Sequence, residues 1–465
     1  MTEAGNNYSE KKTQLHISVR NLVEFIFREG DIDNRSSRAM SADAMMEGTR
    51  IHRKIQGSMG KEYQAEVPLS LVVEGDLYEL TVEGRADGIF TEDGKCFVDE
   101  IKGMYRRVEL FEKPVFVHRA QAMCYAYIFA LQNNMETIGI QMTYCNLETE
   151  QTKYFREEFS FEEIKKWFDD LMEEYGKWAT FQCEIKNQRQ TSIKELDFPF
   201  EYRPGQKKLV SDVYRTIMRQ KLLFMQAPTG VGKTISTIFP AVKAVGEELA
   251  DRIFYLTAKT ITAAVAKETF ALLEKNGYRA KTIQITAKEK LCPCDEMECN
   301  PVTCPYAKGH FDRVNDAVFD LLHRCEMIER DDILSQADRY TVCPFELCLD
   351  TASWCDNIIC DYNYVFDPNV YLKRFFQEGI KGDYIFLIDE AHNMVERSRQ
   401  MYSAQIYKED FLTVKRIMKE HSRSIEKALE KCNKILLGMK RECENYTVYD
   451  LSLIHISEPT RPERI

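Results

Sequence analysis

The sequence predicts an α/β chain in two unlike parts, a small α+β domain followed by a lobe built on a parallel sheet that carries a cysteine-rich insert. Three observations predict it. An alternating hairpin over Tyr78–Lys102 leads into a mostly apolar helix, a strand–glycine loop–helix passage surrounds Ala227–Thr234, and nine of the 15 cysteines fall between Cys292 and Cys360. A chain of 465 residues exceeds one hydrophobic core, and at roughly 150 residues per domain about three are expected. Hydrophobic residues make up 44% and charged residues 29%, and no apolar run approaches the roughly 20 residues that span a bilayer. The N-terminal MTEAGNNYSEKKTQ lacks the apolar stretch of a secretory signal, so a cytoplasmic chain with reduced thiols is expected. A net charge of -11 argues against a protein that coats nucleic acid by bulk electrostatics, though not against a local channel.

Taken in order, residues 1–185 read as the α+β domain. Tyr78–Phe90 alternates as a strand, TEDGK turns, and Cys96–Lys102 alternates again. Phe116–Gln132 is then a helix, Ile138–Leu147 a strand and Phe161–Trp178 an amphipathic helix. Residues 186–204, polar and then Pro/Gly-marked, read as a linker. The first part of the sheet lobe covers 205–290, with a helix near Gln206–Arg219, a strand Leu222–Gln226, a helix Lys233–Val245 and a strand Ile253–Leu256. The cysteine domain spans 291–360, and the lobe resumes over 361–400 with the strand Tyr384–Ile388. A charged helical region begins in 401–450. The tail 451–465 contains LSLIHISEPTR, whose codons resemble a transposon-end sequencing adaptor. It is expected to be an assembly scar on a truncated product.

Ala227-Pro-Thr-Gly-Val-Gly-Lys-Thr234 has the composition of a phosphate-binding loop. Successive backbone N–H groups of Thr229, Gly230, Val231 and Gly232 would form an anion nest at a helix N-terminus. Lys233 would reach the β- and γ-phosphates of ATP, and the Thr234 hydroxyl would ligate Mg²⁺. The apolar strand Phe386-Leu-Ile ends in Asp389-Glu-Ala-His392. Asp389 would hold the Mg²⁺ and Glu390 would orient or deprotonate the attacking water. Either motif alone is a fair chance match; together and in order they are not.

This arrangement resembles a superfamily 2 helicase of the DEAH kind, which implies a RecA-like motor lobe. Gln206, in Tyr202-Arg-Pro-Gly-Gln, lies where such helicases often place an adenine-reading glutamine, although a helix-start surface residue fits equally. Leu256-Thr-Ala-Lys259 resembles the motif that touches DNA. Four thiolates can bind zinc or a [4Fe–4S] cluster, and spacing does not choose between them. Insertion of a four-cysteine domain between the loop and the DEAH strand resembles the XPD/DinG family of iron–sulfur helicases, from about Tyr202 onward, which implies the cluster. Cys292, Cys304 and Cys343 match three of its ligands, with Asp361–Pro368 matching the segment beyond. The fourth is Cys299 or Cys294, and Cys299 is preferred because it leaves more chain to wrap a cluster. Cys325, Cys348, Cys355 and Cys360 are expected to be ordinary buried thiols.

In the first part, Asp87 precedes Glu100-Ile-Lys102, and period-two alternation puts Glu100 and Lys102 on one face of their strand. Two carboxylates there could hold Mg²⁺ or Mn²⁺, with Lys102 placing the nucleophilic water. A charged hairpin by itself is more often a solvated face. The ordered set His52, Asp87, Glu100, Lys102, Gln121 and Tyr125 resembles the RecB-type branch of the PD-(D/E)xK nucleases over about residues 15–180. That resemblance implies His52 as a further metal ligand and Gln121 and Tyr125 as DNA contacts. The combined expectation is an ATP-dependent DNA helicase, 5′ to 3′ by resemblance, with an N-terminal nuclease. It would act on single-stranded or tailed DNA in repair or replication. Rival expectations are a translocase whose first domain is an inactive clamp, and an RNA-directed ATPase.

Overall fold

The structure, a computed structural model, describes residues 12–35, 42–60, 62–228, 230–377, 380 and 382–447. The tail 451–465 and Thr229 lie outside the described residues. Two units form. One comprises residues up to 365 together with 371–391, and the other comprises 366–370 and the residues from 392 onward.

The first unit opens with β1 (Thr13–Ser18), α1 (Val19–Ile26), α2 (Ala42–Ser58), β2 (Gln64–Glu74), β3 (Tyr78–Glu92) and β4 (Lys95–Met104). It continues with α3 (Phe116–Gln132), β5 (Thr137–Asn146), β6 (Thr152–Ser160) and α4 (Phe161–Glu195). β3 is the spine of this sheet. It pairs antiparallel with β2 and β4 and parallel with β1, while β4 pairs parallel with β5 and β5 antiparallel with β6. The hairpin and the helix Phe116–Gln132 stand as the alternation and apolar content predict. β1, β2, β6 and the helix α1 were not anticipated. Buried Leu80, Val82, Ile140, Tyr144, Ile128 and Phe168 make its core.

The sheet lobe adds α5 (Gln206–Met218), α6 (Lys233–Gly246), β7 (Arg252–Leu256), α7 (Thr260–Lys275), β8 (Thr282–Gln284), the single turn α8 (Lys288–Leu291) and α9 (Val314–Arg324). After these come β9 (Met327–Ile328), α10 (Arg330–Tyr340), α11 (Pro344–Ala352), β10 (Asn357–Cys360), α12 (Asn363–Phe366), α13 (Lys373–Phe376) and β11 (Tyr384–Ile388). Its five strands, in the order β11-β7-β10-β8-β9, are all parallel. That is the layered α/β architecture that crossover helices impose.

Three expectations are corrected. The polar stretch read as a linker is helical through Glu195, because Ile193 near its end packs into the second core. α4 buries Ile164, Phe168, Leu171, Tyr175 and Cys183 in the first core, and farther along Ile193 joins Phe239, Val242 and Ile253 in the second. The expected strand Leu222–Gln226 has no strand pairing. Leu222 and Phe224 are 87% and 88% exposed, and the outer edge of β11 has no neighbour among the described residues. An apolar run with no adjacent strand has no ladder to join. Finally, the cysteine insert does not reach residue 360, since β10 lies inside the sheet between β7 and β8.

The second unit holds α14 (Met394–Met401), α15 (Lys408–Met418) and α16 (Arg423–Arg441), in the charged region where helix was expected. α15 and α16 lie together, with Lys415 and Glu430 3.5 Å apart. No helix of the described residues is long and apolar enough to cross a membrane.

Candidate functional site

At the phosphate loop, Gly230 and Gly232 take φ of +84° and +75°, values at which a Cβ is strained, and Gly232 caps α6. A Cβ on Gly232 would also lie 2.8 Å from Gln206 Nε2. Lys233 opens α6 and its Nζ lies 3.9 Å from Glu390 Oε1. Glu390 itself has φ +50°, a sparsely populated conformation for a side chain of this size, at the sharp turn that ends the DEAH strand. Burial, and then the neighbouring Glu390 charge, raise the Asp389 carboxyl above its ordinary range.

Two residues here escaped the sequence reading. The Tyr255 hydroxyl, at the end of β7, is in hydrogen-bonding reach of both Thr234 and Asp389. It thus marks where the two Mg²⁺ ligands expected from sequence meet. The Tyr362 hydroxyl donates to the backbone carbonyls of Asp389 and, at 3.3 Å, Glu390, which fixes the DEAH turn from below. Tyr362 lies in the Asp361–Pro368 segment that the family resemblance had marked, but its role became visible only with the register of β10 beside β7. Gln206 is buried and not a surface residue. Its Oε1 accepts the Arg203 N–H, and its Nε2 donates to Val231 O and Ser236 Oγ, so its amide is spent on holding the loop.

The N-terminal set also converges. β3 and β4 carry Asp87 and Glu100, and α2 and α3 bring His52, Gln121 and Tyr125. His52 Nδ1 lies 3.5 Å from Asp87 Oδ1, and Asp87 Oδ2 accepts the Ile101 N–H at 2.7 Å. Lys102 Nζ is 2.6 Å from Glu100 Oε1 and donates to Gln121 Oε1 at 3.3 Å. Tyr125 is in hydrogen-bonding reach of Gln121. Burial pushes the Glu100 carboxyl up to about 8, opposed by Lys102 and reinforced by Asp87. For His52, burial lowers the pKa, but the hydrogen bond and charge of Asp87 outweigh it and the net direction is upward.

Glu100 Oε2 is fully buried with no hydrogen-bond partner. A buried carboxylate oxygen left unpaired beside Asp87 fits a cation site, because a cation would satisfy it. Gln56, one turn beyond His52, was also missed by the sequence reading. Its Nε2 donates to the Asp87 carbonyl at 2.9 Å and to Glu66 Oε1 at 3.0 Å, tying α2 to the carboxylate strand.

The thiols fall in two adjoining groups. Cys294 Sγ lies 3.9 Å from Cys304 Sγ, with Cys292 nearby. Cys299 neighbours Lys288 and Cys343, whose thiol faces the amides of Phe345 and Glu346 at the start of α11. All fifteen cysteines are free; Cys348, Cys355 and Cys360 are buried as expected, whereas Cys325 is only half-buried. The donor set of half-buried thiols suits a soft metal or cluster. Among the described residues, however, no three His, Cys, Asp or Glu side chains close on one point as a metal cage, either here or at the carboxylates.

The DEAD_2 family matches residues 272–411. The regulator of telomere elongation helicase 1 of Rattus norvegicus is 19% identical over 320 residues, which cover 57% of this chain and 25% of that protein. The general transcription and DNA repair factor IIH helicase subunit XPD/RAD3 of Saccharomyces cerevisiae is 23% identical over 239 residues, 43% of this chain and 30% of that one. A solved structure titled Truncated XPD is 17% identical, covers 54% of this chain and 72% of its own, and has a TM-score of 0.34. The chain thus spans about a quarter to a third of those two curated relatives. The DEAD_2 match begins beyond the phosphate loop and includes the DEAH strand, so residues 272–411 are similar to that family, and the chain is similar over part of its length to the two helicase relatives.

Proposed function

We propose that the chain comprises the nuclease domain and first motor lobe of an ATP-dependent DNA helicase that acts in DNA repair, translocating 5′ to 3′ on single-stranded or tailed DNA. The observation that carries the motor half is the meeting of Thr234, Tyr255 and Asp389, with Lys233 and Glu390 beside them. Lys233 and the loop amides, Thr229 to Gly232 among them, would hold the phosphates of ATP. Thr234 and Asp389 would hold Mg²⁺, Glu390 would orient the attacking water, and Gln206 would keep the loop in shape. At the other site His52, Asp87 and Glu100 would hold Mg²⁺ or Mn²⁺, which when bound polarises a scissile phosphate. Lys102 would then leave Glu100 and place the nucleophilic water, with Gln121 and Tyr125 on the DNA. Cys292, Cys304 and Cys343 would ligate a [4Fe–4S] cluster with Cys299 or Cys294; contact with Cys304 supports Cys294, and nearness to Cys343 supports Cys299.

The two activities are expected to separate. Lys102→Ala should lower Mn²⁺-dependent cleavage of single-stranded DNA by about a hundredfold or more while leaving ATP binding intact, and Lys233→Ala should do the reverse. Unchanged cleavage by the Lys102→Ala protein would leave the hairpin as a solvated charged face and the first domain as a DNA clamp.

A further inference from the structure

α3 brings more than Gln121 and Tyr125 to the carboxylate strand. His118 stands three residues before Gln121 and seven before Tyr125, a spacing that puts all three on one face of the helix. That face meets β4, where Lys102 Nζ donates to Gln121 Oε1 at 3.3 Å. Lys102 is in register with Tyr144 of β5, and Tyr144 in turn touches His118, its hydroxyl 3.1 Å from the ring Nδ1. Arg20 enters from the first turn of α1, which packs on α3, and both Arg20 and Lys102 lie close enough for their charges to act on the His118 ring. Arg20 pairs with Glu24 at 2.7 Å, but with side-chain exposures of 68% and 49% this pair is weak and readily exchanged for another anion.

The hydrogen bonds around Tyr144 fix which nitrogen of His118 carries the proton. The Tyr144 hydroxyl accepts the Val115 N–H at 2.9 Å, and the residue is fully buried. Burial pushes its phenol up to about 12, so it keeps a hydrogen that must find an acceptor, and His118 Nδ1 is that acceptor. A neutral imidazole that accepts at Nδ1 holds its own hydrogen on Nε2. Burial, and then the charges of Lys102 and Arg20, bring the ring down to about 4, so it is neutral at ordinary pH. Nε2 has no hydrogen-bond partner among the described residues and is not one of the fully buried unpaired atoms, so this half-buried ring presents a fixed, uncharged N–H to solvent. The first turn of α3 around it contains no acidic residue.

We propose that the His118 Nε2–H and the Arg20 guanidinium seat a backbone phosphate of single-stranded DNA beside the Lys102 edge of the carboxylate pocket, neighbouring the phosphate that is cut. An N–H donor, a guanidinium and an ammonium approaching from three elements offer hydrogen bonds and accept none, which suits a phosphate oxygen and not a metal. The neutral ring adds direction, and Arg20 adds charge. Gln121 and Tyr125 follow on the same helix face, so a strand held at His118 is led along α3 toward them. Which phosphate is cut rests on the nuclease reading given above, whereas the phosphate seat itself requires only that DNA binds.

Binding of a fluorescent single-stranded oligonucleotide to the full chain in EDTA tests the seat without calling on a metal. His118→Phe keeps a ring against Tyr144 but has no donor. It is expected to weaken binding by about tenfold with an unchanged salt dependence, because a neutral donor displaces no counterion. Arg20→Gln, at an exposed position, should lower the slope of log affinity against log salt by about 0.7, the share of one single-strand phosphate. His118→Gln returns an amide N–H near the place of Nε2 and should recover most of the affinity. In Mn²⁺, KM for DNA cleavage should rise in His118→Phe by the same factor, with kcat and the Mn²⁺ affinity read by electron paramagnetic resonance left as in wild type. An unchanged slope in Arg20→Gln overturns the proposal by itself, whether or not His118→Phe folds. So does a loss of DNA affinity in His118→Phe that His118→Gln fails to recover, or that brings a loss of Mn²⁺ affinity with it, since the ring would then be supporting the fold alone. A wild-type chain that cuts nothing in Mn²⁺ but shows the same losses in EDTA retains the phosphate seat and defeats the nuclease reading instead.

Discussion

Glu100 is the residue at which burial, charge and function pull hardest against one another. Its carboxyl titrates near 8 against an ordinary 4.5, with burial the largest cause. Between those values the folded chain holds a proton that the unfolded chain has released, so the metal-free fold loses stability as pH rises through that window. Glu100→Gln cannot ionise and removes that slope. Urea melts in EDTA should show wild type weakening from pH 5 to pH 8 relative to Glu100→Gln, and parallel curves would refute the buried-carboxylate account. Mn²⁺ affinity should move the other way in wild type, rising with pH as Glu100 ionises, and should be lost in Glu100→Gln. The pairing of Glu100 with Lys102 on one face was legible from alternation in the sequence. The unpaired Oε2 was not, because which oxygen Lys102 takes depends on Gln121 arriving from α3.

Among the elements, α4 departs furthest from what its sequence suggests. Its first eighteen residues carry a clear apolar stripe and a Ser160/Glu163 capping box, both readable in advance. Its last ten are polar enough to pass for a linker, and only the second core, which receives Ile193, makes them a helix. That is tertiary packing overriding local composition. Asn187 is exposed on this stretch, so Asn187→Pro probes the backbone with little packing at stake. It should cost about 3 kcal/mol relative to Asn187→Ala in denaturant unfolding. A difference near zero would restore the linker. The lost strand at Leu222–Gln226 is the opposite case, in which composition favours extended structure and none of the described strands pairs with it.

For the first unit as a whole, the two sheets do not form independent bodies joined by a tether. Arg189, near the end of α4, pairs with Asp356 just before β10, and both side chains are about nine-tenths buried. Asp356 also accepts the Lys281 N–H at 2.8 Å, and Arg189 donates to Asp251 O at 3.1 Å. Deleting one partner leaves a buried charge, so Arg189→Ala should destabilise the unit by about 3–5 kcal/mol. The whole unit should melt in a single transition that shifts together by calorimetry. Two separated transitions, only one of them moved, would mean the sheets unfold apart. Motif spacing in the sequence located both candidate pockets, yet it gave no sign that helix and ion pair join them, since Arg189 and Asp356 are 167 positions apart.

The outer rim of β11, unpaired among the described residues, has a practical consequence for anyone producing this chain. Parallel strands with unmet N–H and C=O groups invite extension by foreign chains, and here Phe386 and Ile388 on that strand are 40% and 38% exposed. The unpaired Leu222-Leu-Phe-Met run, free of charge and proline, has the composition of a self-associating peptide. Together they are expected to give the purified chain two adhesive surfaces that owe nothing to catalysis. A lysine at Leu222 or Phe224 would serve as a gatekeeper, improving yield and shelf life without touching either pocket.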